Sequence, residues 1–195
     1  MSTNDTNSVS EQQILPMPDA EKIRQAFLQL SFAAKLHVYA ENSFIDKKTF
    51  DCHVKFLKDN INLPANEFYS YDEINAASIN TLTITLGFTT SVLYDALRRY
   101  AASLSNIEEE LYNLLYMIRC CFMHNSIDPR WFITKQKYLH LYEIQLATTK
   151  IVIDLTTKND KPFKIDEIGG YAAYFEIRDA VIAIIERRQS KPNNP

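Results

Sequence analysis

The sequence predicts a mainly α fold, a helical bundle with one small antiparallel β hairpin inserted before the last helix. Three observations carry this. Ile107, Leu111, Leu114, Leu115, Ile118 and Phe122 recur at three- and four-residue steps, behind Ser105 and Glu108 at capping-box spacing. Two longer stripes of the same period precede them, at 23–38 and 79–97. Downstream the period changes to two. Tyr142, Ile144 and Leu146 alternate with Glu143, Gln145 and Ala147, and Ile151, Ile153 and Leu155 alternate with Val152, Asp154 and Thr156.

Residues 1–18 are polar and close on Pro16 and Pro18, so a disordered arm is expected there, and 190–195 reads as a loose tail. A single domain is expected over 19–189. Its first helix opens with Asp19 as N-cap and buries Ile23, Phe27, Leu30, Ala34 and Val38. A second helix is expected over 49–60 on Phe50, Val54 and Leu57, then a loop over 61–74 around Pro64. Across 76–104 two templates compete. Leu82, Ile84, Leu86 and Phe88 alternate with threonines as in a strand, whereas Ile79, Leu82, Leu86, Leu93 and Leu97 fit a longer helical stripe. Length decides for a helix, kinked near Gly87. The capped helix should end near Asn125, before the turn chemistry of Asp128 and Pro129. The β element falls at about 131–165, with Thr148, Thr149 and Lys150 as its hairpin loop. Gly169 and Gly170 then break the chain. The last helix turns Tyr174, Ile177, Val181 and Ile184 inward and carries Arg187 and Arg188 near its C-terminus, where cations suit the helix dipole.

Composition removes several classes of function. The 195 residues include 3 glycines, Gly87, Gly169 and Gly170, which cannot supply a dinucleotide fingerprint, a Walker loop or a nucleophile elbow. No motif calls for a small-molecule cofactor. A net charge of −3 gives no global positive field. The 3 cysteines, Cys52, Cys120 and Cys121, show no C-x-x-C spacing, which argues against a zinc ribbon or a disulfide framework, and no metal site is expected. Neither a signal-like opening nor a long uncharged apolar run is read, so a cytoplasmic protein away from membranes is expected.

The residues suited to chemistry gather at the end of the capped helix, Arg119 to Asn125. Arginine holds a phosphate bidentately, and histidine can take and return a proton near neutrality. Together they form a minimal kit for cleaving RNA without a metal. Five residues of ideal helix rotate by about 500°, leaving the two side chains roughly 140° apart. The arginine stem, unwinding at His124, or a second protomer would have to close that angle. The bland alternative is a solvated arginine and a histidine that suits the helix dipole. Arg130, Lys135 and Lys137 extend a positive groove, and Trp131 and Phe132 offer rings for a base, although packing against the bundle is the commoner use of such a tryptophan. Among the rest, His37 reads as packed, Cys52 and His53 as neighbours pointing apart on a helix, and His140 as partnerless. Arg98, Arg99, Arg187 and Arg188 read as solvated faces, and the aromatic run at 68–71 as a cover over the core.

A helical N-terminal part leading to Arg119-Cys-Cys-Phe-Met-His124, then Asn125, Pro129, Arg130 and Trp131, two strands, and Ile168-Gly169-Gly170 before a final helix, resembles the HEPN superfamily. The likeness is to small bacterial members whose R-x4-6-H motif is followed by Pro-x-Trp and a β insertion, and it covers roughly 20–188. It implies a helical bundle that dimerises with the motif helices facing each other. It also implies a metal-independent endoribonuclease of toxin–antitoxin or defence systems, with an RNA substrate and an antitoxin or other protein partner. Arg119 and His124 would be the catalytic pair, with Cys120 and Asn125 supporting them and Arg130, Trp131 and Lys135 meeting RNA. The family often places Asn, Asp or His directly after the arginine. Cys120 stands there instead, a weaker donor, which leaves a non-catalytic dimerisation and interaction module as the alternative.

Overall fold

The computed structural model describes residues 16–56 and 61–190; most of the expected arm and tail lies outside them. The chain runs α1 (Asp19–Glu41), a single turn α2 (Lys47–Phe50), β1 (Val54–Phe56), β2 (Ile61–Leu63), α3 (Tyr71–Arg98), α4 (Asn106–His124), β3 (Leu141–Gln145), β4 (Lys150–Asp154) and α5 (Gly170–Gln189), joined by short 3₁₀ turns. It is mainly helical, with the expected antiparallel hairpin between α4 and α5. Tyr142 pairs with Ile153 and Ile144 with Ile151, so all four turn to one buried face.

One core runs through α1, α3, α4, the hairpin and α5. α1 and α3 lie antiparallel. Asp19 at the start of α1 pairs with Arg99 just past the end of α3 at 2.7 Å, while His37 Nδ1 near the end of α1 lies 3.1 Å from Ser78 Oγ near the start of α3. At the centre, the buried Tyr174 hydroxyl of α5 lies 2.9 and 2.7 Å from the hydroxyls of Thr89 and Thr90 on α3, so the three are satisfied where water is excluded.

Several expectations are corrected. Pro18, not Asp19, occupies the N-cap of α1, because Asp19 is buried as the first helical residue by its pairing with Arg99 and Lys22. The helix expected over 49–60 ends at Phe50. The Asp51 carboxylate accepts from the amides of Glu67 and Phe68, and the chain leaves into a two-stranded sheet in which Val54 pairs with Leu63; Leu57 lies outside the described residues. α3 begins at Tyr71 with Ser70 as its cap, so the loop is shorter than 61–74. Tyr69 is 89% exposed and covers no core.

α3 settles the competition between strand and helix. Thr81, Thr83, Thr85 and Thr90 each donate to the carbonyl four residues earlier, which removes their hydroxyls from competition with the helical backbone. The helix runs unbroken through Gly87, where a Cβ would come within 2.7 Å of the Phe122 ring, so the glycine serves the close approach of α4. Free of charge from Ile74 through Tyr94, α3 is long and apolar enough to cross a membrane by length and composition, contrary to the reading that no such run exists. Leu82, Leu86, Leu93 and Leu97 are buried in the bundle. Val38, Ile79 and Ile107 were expected inside and are exposed, each on the outer flank of its helix.

Candidate functional site

α4 is the best-specified helix. The Glu108 carboxylate accepts from the Ser105 amide at 2.8 Å and from its hydroxyl at 3.0 Å, fixing the start. Leu111, Leu114, Leu115, Ile118 and Phe122 then face the core, which turns Tyr112, Tyr116, Arg119, Cys120 and Met123 to the other side. Arg119 is half-buried. Its guanidinium lies over the Tyr94 ring, 5.2 Å from the centroid, and its Nε is buried without a hydrogen-bond partner. No carboxylate stands within ion-pair distance of it among the described residues.

A tyrosine cluster forms the wall beside Arg119. Tyr112 donates to the Tyr94 hydroxyl at 3.0 Å, and Tyr116 packs on Tyr94 and Tyr138. Burial, then the bond to Tyr94, pushes the Tyr112 phenol up. The nearby Cys120 thiol, then burial, raises the Tyr116 phenol. Cys121 points inward, and burial raises its thiol above the ordinary range.

His124 is the last residue of α4 and is exposed. Its ring packs on Phe132 with centroids 4.0 Å apart, and it has no hydrogen-bond partner among the described residues. The helix stays regular to His124, so unwinding there, one of the three ways to close the angle, is absent. At about 1.5 Å rise and 100° per residue, the two side chains leave α4 roughly 7.5 Å and 140° apart. Arg119 packs on Tyr94 and His124 on Phe132, so one copy does not bring them together. Neither lines any of the five described cavities.

The supporting residues divide. Asn125 Oδ1 accepts from the amides of Ile127 and Asp128, which makes it a turn residue closing α4. Arg130 is held by Asp128 at 3.0 Å and by the Asp160 carbonyl at 3.2 Å. Trp131, expected as an RNA contact, is 1% exposed. Its Nε1 donates to Glu167 at 2.9 Å and its ring packs on Phe163, so the indole pins the β element to the bundle. Lys135 is exposed, Lys137 lies over the Tyr138 ring, and Phe132 is 45% exposed beside His124.

Other expectations change too. His140 has partners: Glu110 at 3.0 Å and the Tyr142 ring stacked at 4.1 Å. Cys52 and His53 lie past the end of α2 rather than on a helix. Arg188 is largely buried, and Arg99 is paired to Asp19. The tyrosine cluster was missed. Its one local signal is Tyr112 and Tyr116, four apart on the side of α4 opposite the apolar stripe.

No protein-family model, curated protein or solved structure matches this chain.

Proposed function

We propose that this chain is an endoribonuclease of the HEPN type, metal-independent as those enzymes are, acting as a homodimeric toxin or defence effector. One observation carries the reading. Arg24, Arg99, Arg130, Arg178, Arg187 and Arg188 each pair with a carboxylate; of the two arginines that do not, Arg98 is exposed to solvent, whereas Arg119 is half-buried and lies on the helix that ends in exposed His124. A guanidinium held without a counter-charge is available to an anion, and its fork suits phosphate.

In the reaction, His124 takes the proton from a ribose 2′-hydroxyl, the 2′-oxygen attacks phosphorus, and the bond to the 5′-oxygen breaks as that oxygen gains a proton. The products are a 2′,3′-cyclic phosphate and a 5′-hydroxyl. Arg119 stabilises charge on the phosphoryl oxygens. Because the two groups diverge on one helix, Arg119 of one copy works with His124 of the other. Phe132 offers a ring for an unstacked base, and Lys135 a charge for the backbone.

The test is incubation of the purified chain with mixed RNA in excess EDTA beside H124A. Loss of a general base costs about 10²–10⁴-fold, so cleavage that persists in chelator and falls by that factor supports the reading. A second reading, a dimeric module that binds RNA or a protein partner such as an antitoxin without cleaving, draws on Cys120, a weak donor, standing directly after Arg119 and on the net charge of −3. It predicts no cleavage by either form and a dimer unaffected by H124A.

A further inference from the structure

The outer face of α1 and α3 is unused by the proposed reaction. α1 presents Leu28 and Phe32 there, 65% and 68% exposed, and α3 presents Ile84 and Phe88, 47% and 49% exposed. Each pair is four residues apart and so shares a helical face. From Gln29 and Phe88 a groove of about 400 Å³ runs between the helices, away from these side chains, past Lys22 and Asp95 to the Asp19–Arg99 pair, so charge is confined to that end. No charged residue occurs from Gln25 through Ala34 on α1, or from Ile74 through Tyr94 on α3. A helix lying on solvent carries charged and polar residues on its outer face, and contiguous exposed apolar surface marks an interaction site.

We infer that this face binds a second copy of the chain, with α1 and α3 of one copy against α1 and α3 of its partner. Charge and size both point to that occupant. A two-fold interface sets a patch against itself, so any charge near the axis meets its like; the centre of this face carries none. The 23 residues of α1 span about 35 Å, and two helices side by side are about 20 Å wide. The footprint is then roughly 700 Å² per copy, close to the ~800 Å² per partner of stable interfaces. The interface is separate from the end of α4 that carries His124, so it adds an association to the one proposed for catalysis.

The experiment is the solution mass of the purified chain by light scattering over a range of concentrations. It is run for the wild type, the F32E/F88E double variant and I84K, with circular dichroism of each. The expected result is a variant mass half that of the wild type at the same concentration, with unchanged helical signal, whether or not the ends of α4 also associate. I84K tests α3 separately should the double variant fail to fold. Folded variants that keep the wild-type mass overturn the inference, and so does a wild type that is monomeric throughout. Flotation of that monomer with phosphatidylcholine vesicles would assign the face to a lipid surface instead. RNA cleavage by the folded variants separates this outcome from failure of the ribonuclease reading, because none of Phe32, Ile84 and Phe88 belongs to the Arg119–His124 pair.

Discussion

Arg119 and Trp131 show how far a residue's role depends on what the fold places around it. Both stand in the stretch that suggested RNA chemistry. Arg119 keeps an unpaired charge over Tyr94, whereas Trp131 spends its polar edge on Glu167. R119A is therefore expected to lower RNA cleavage at least about 100-fold, while thermal unfolding shifts by no more than the ~1 kcal/mol of one cation–π contact. Trp131 answers in the opposite sense. W131F is expected to cost about 1–3 kcal/mol in a denaturant titration, by leaving Glu167 one donor short, with little change in activity per folded molecule. The sequence displays Arg119 and His124 because a motif is a local pattern. For Trp131 it already favours packing against the bundle over an RNA contact, as the structure has it, but it does not name the partner, Glu167, which lies 36 residues downstream. The tyrosines around Arg119 were hidden for the same reason, since Tyr94 and Tyr138 reach α4 only through tertiary packing.

At the scale of elements, the long helices and the hairpin were legible because an amphipathic period sustained over many residues leaves few ways to bury its apolar face. α4 is the clearest case, with its cap, stripe and end all local. The region after Lys47 failed because Phe50 and Val54, four apart, satisfy a helix template while the Asp51 carboxylate commits the backbone to distant amides. Helix packing supplies a sharp test in Gly87. Alanine is the better helix former by about 1 kcal/mol, yet a Cβ there meets the Phe122 ring at 2.7 Å. G87A is expected to destabilise the fold by about 1–3 kcal/mol through overpacking, read as a lower unfolding midpoint. A gain in stability would mean that α3 and α4 pack less closely than described.

The whole molecule is closed by a contact between its last helix and the start of α4. Glu108 receives Arg188 at 2.6 Å, both largely buried, and Arg187 at 3.5 Å, a pairing that the sequence presented only as two surface arginines. The Arg188 guanidinium holds the Glu108 carboxyl at about 2, below its ordinary 4.5. The folded state thus binds this proton more weakly than the unfolded chain. Its stabilisation is complete above pH 4.5 and is lost as pH falls through about 2. E108Q is expected to cost about 1.5–3 kcal/mol near neutrality and to flatten that part of the acid unfolding profile. The central claim is also a statement about the whole assembly, that Arg119 and His124 act across two copies. Its most direct measurement is RNA cleavage in EDTA by R119A and H124A, each alone and then mixed after subunit exchange. Each alone should be inactive, and the mixture should recover about a quarter of wild-type activity, since half the dimers then hold one intact pair. A wild type that cleaves no RNA, or an active wild type whose two variants never complement, would contradict the account.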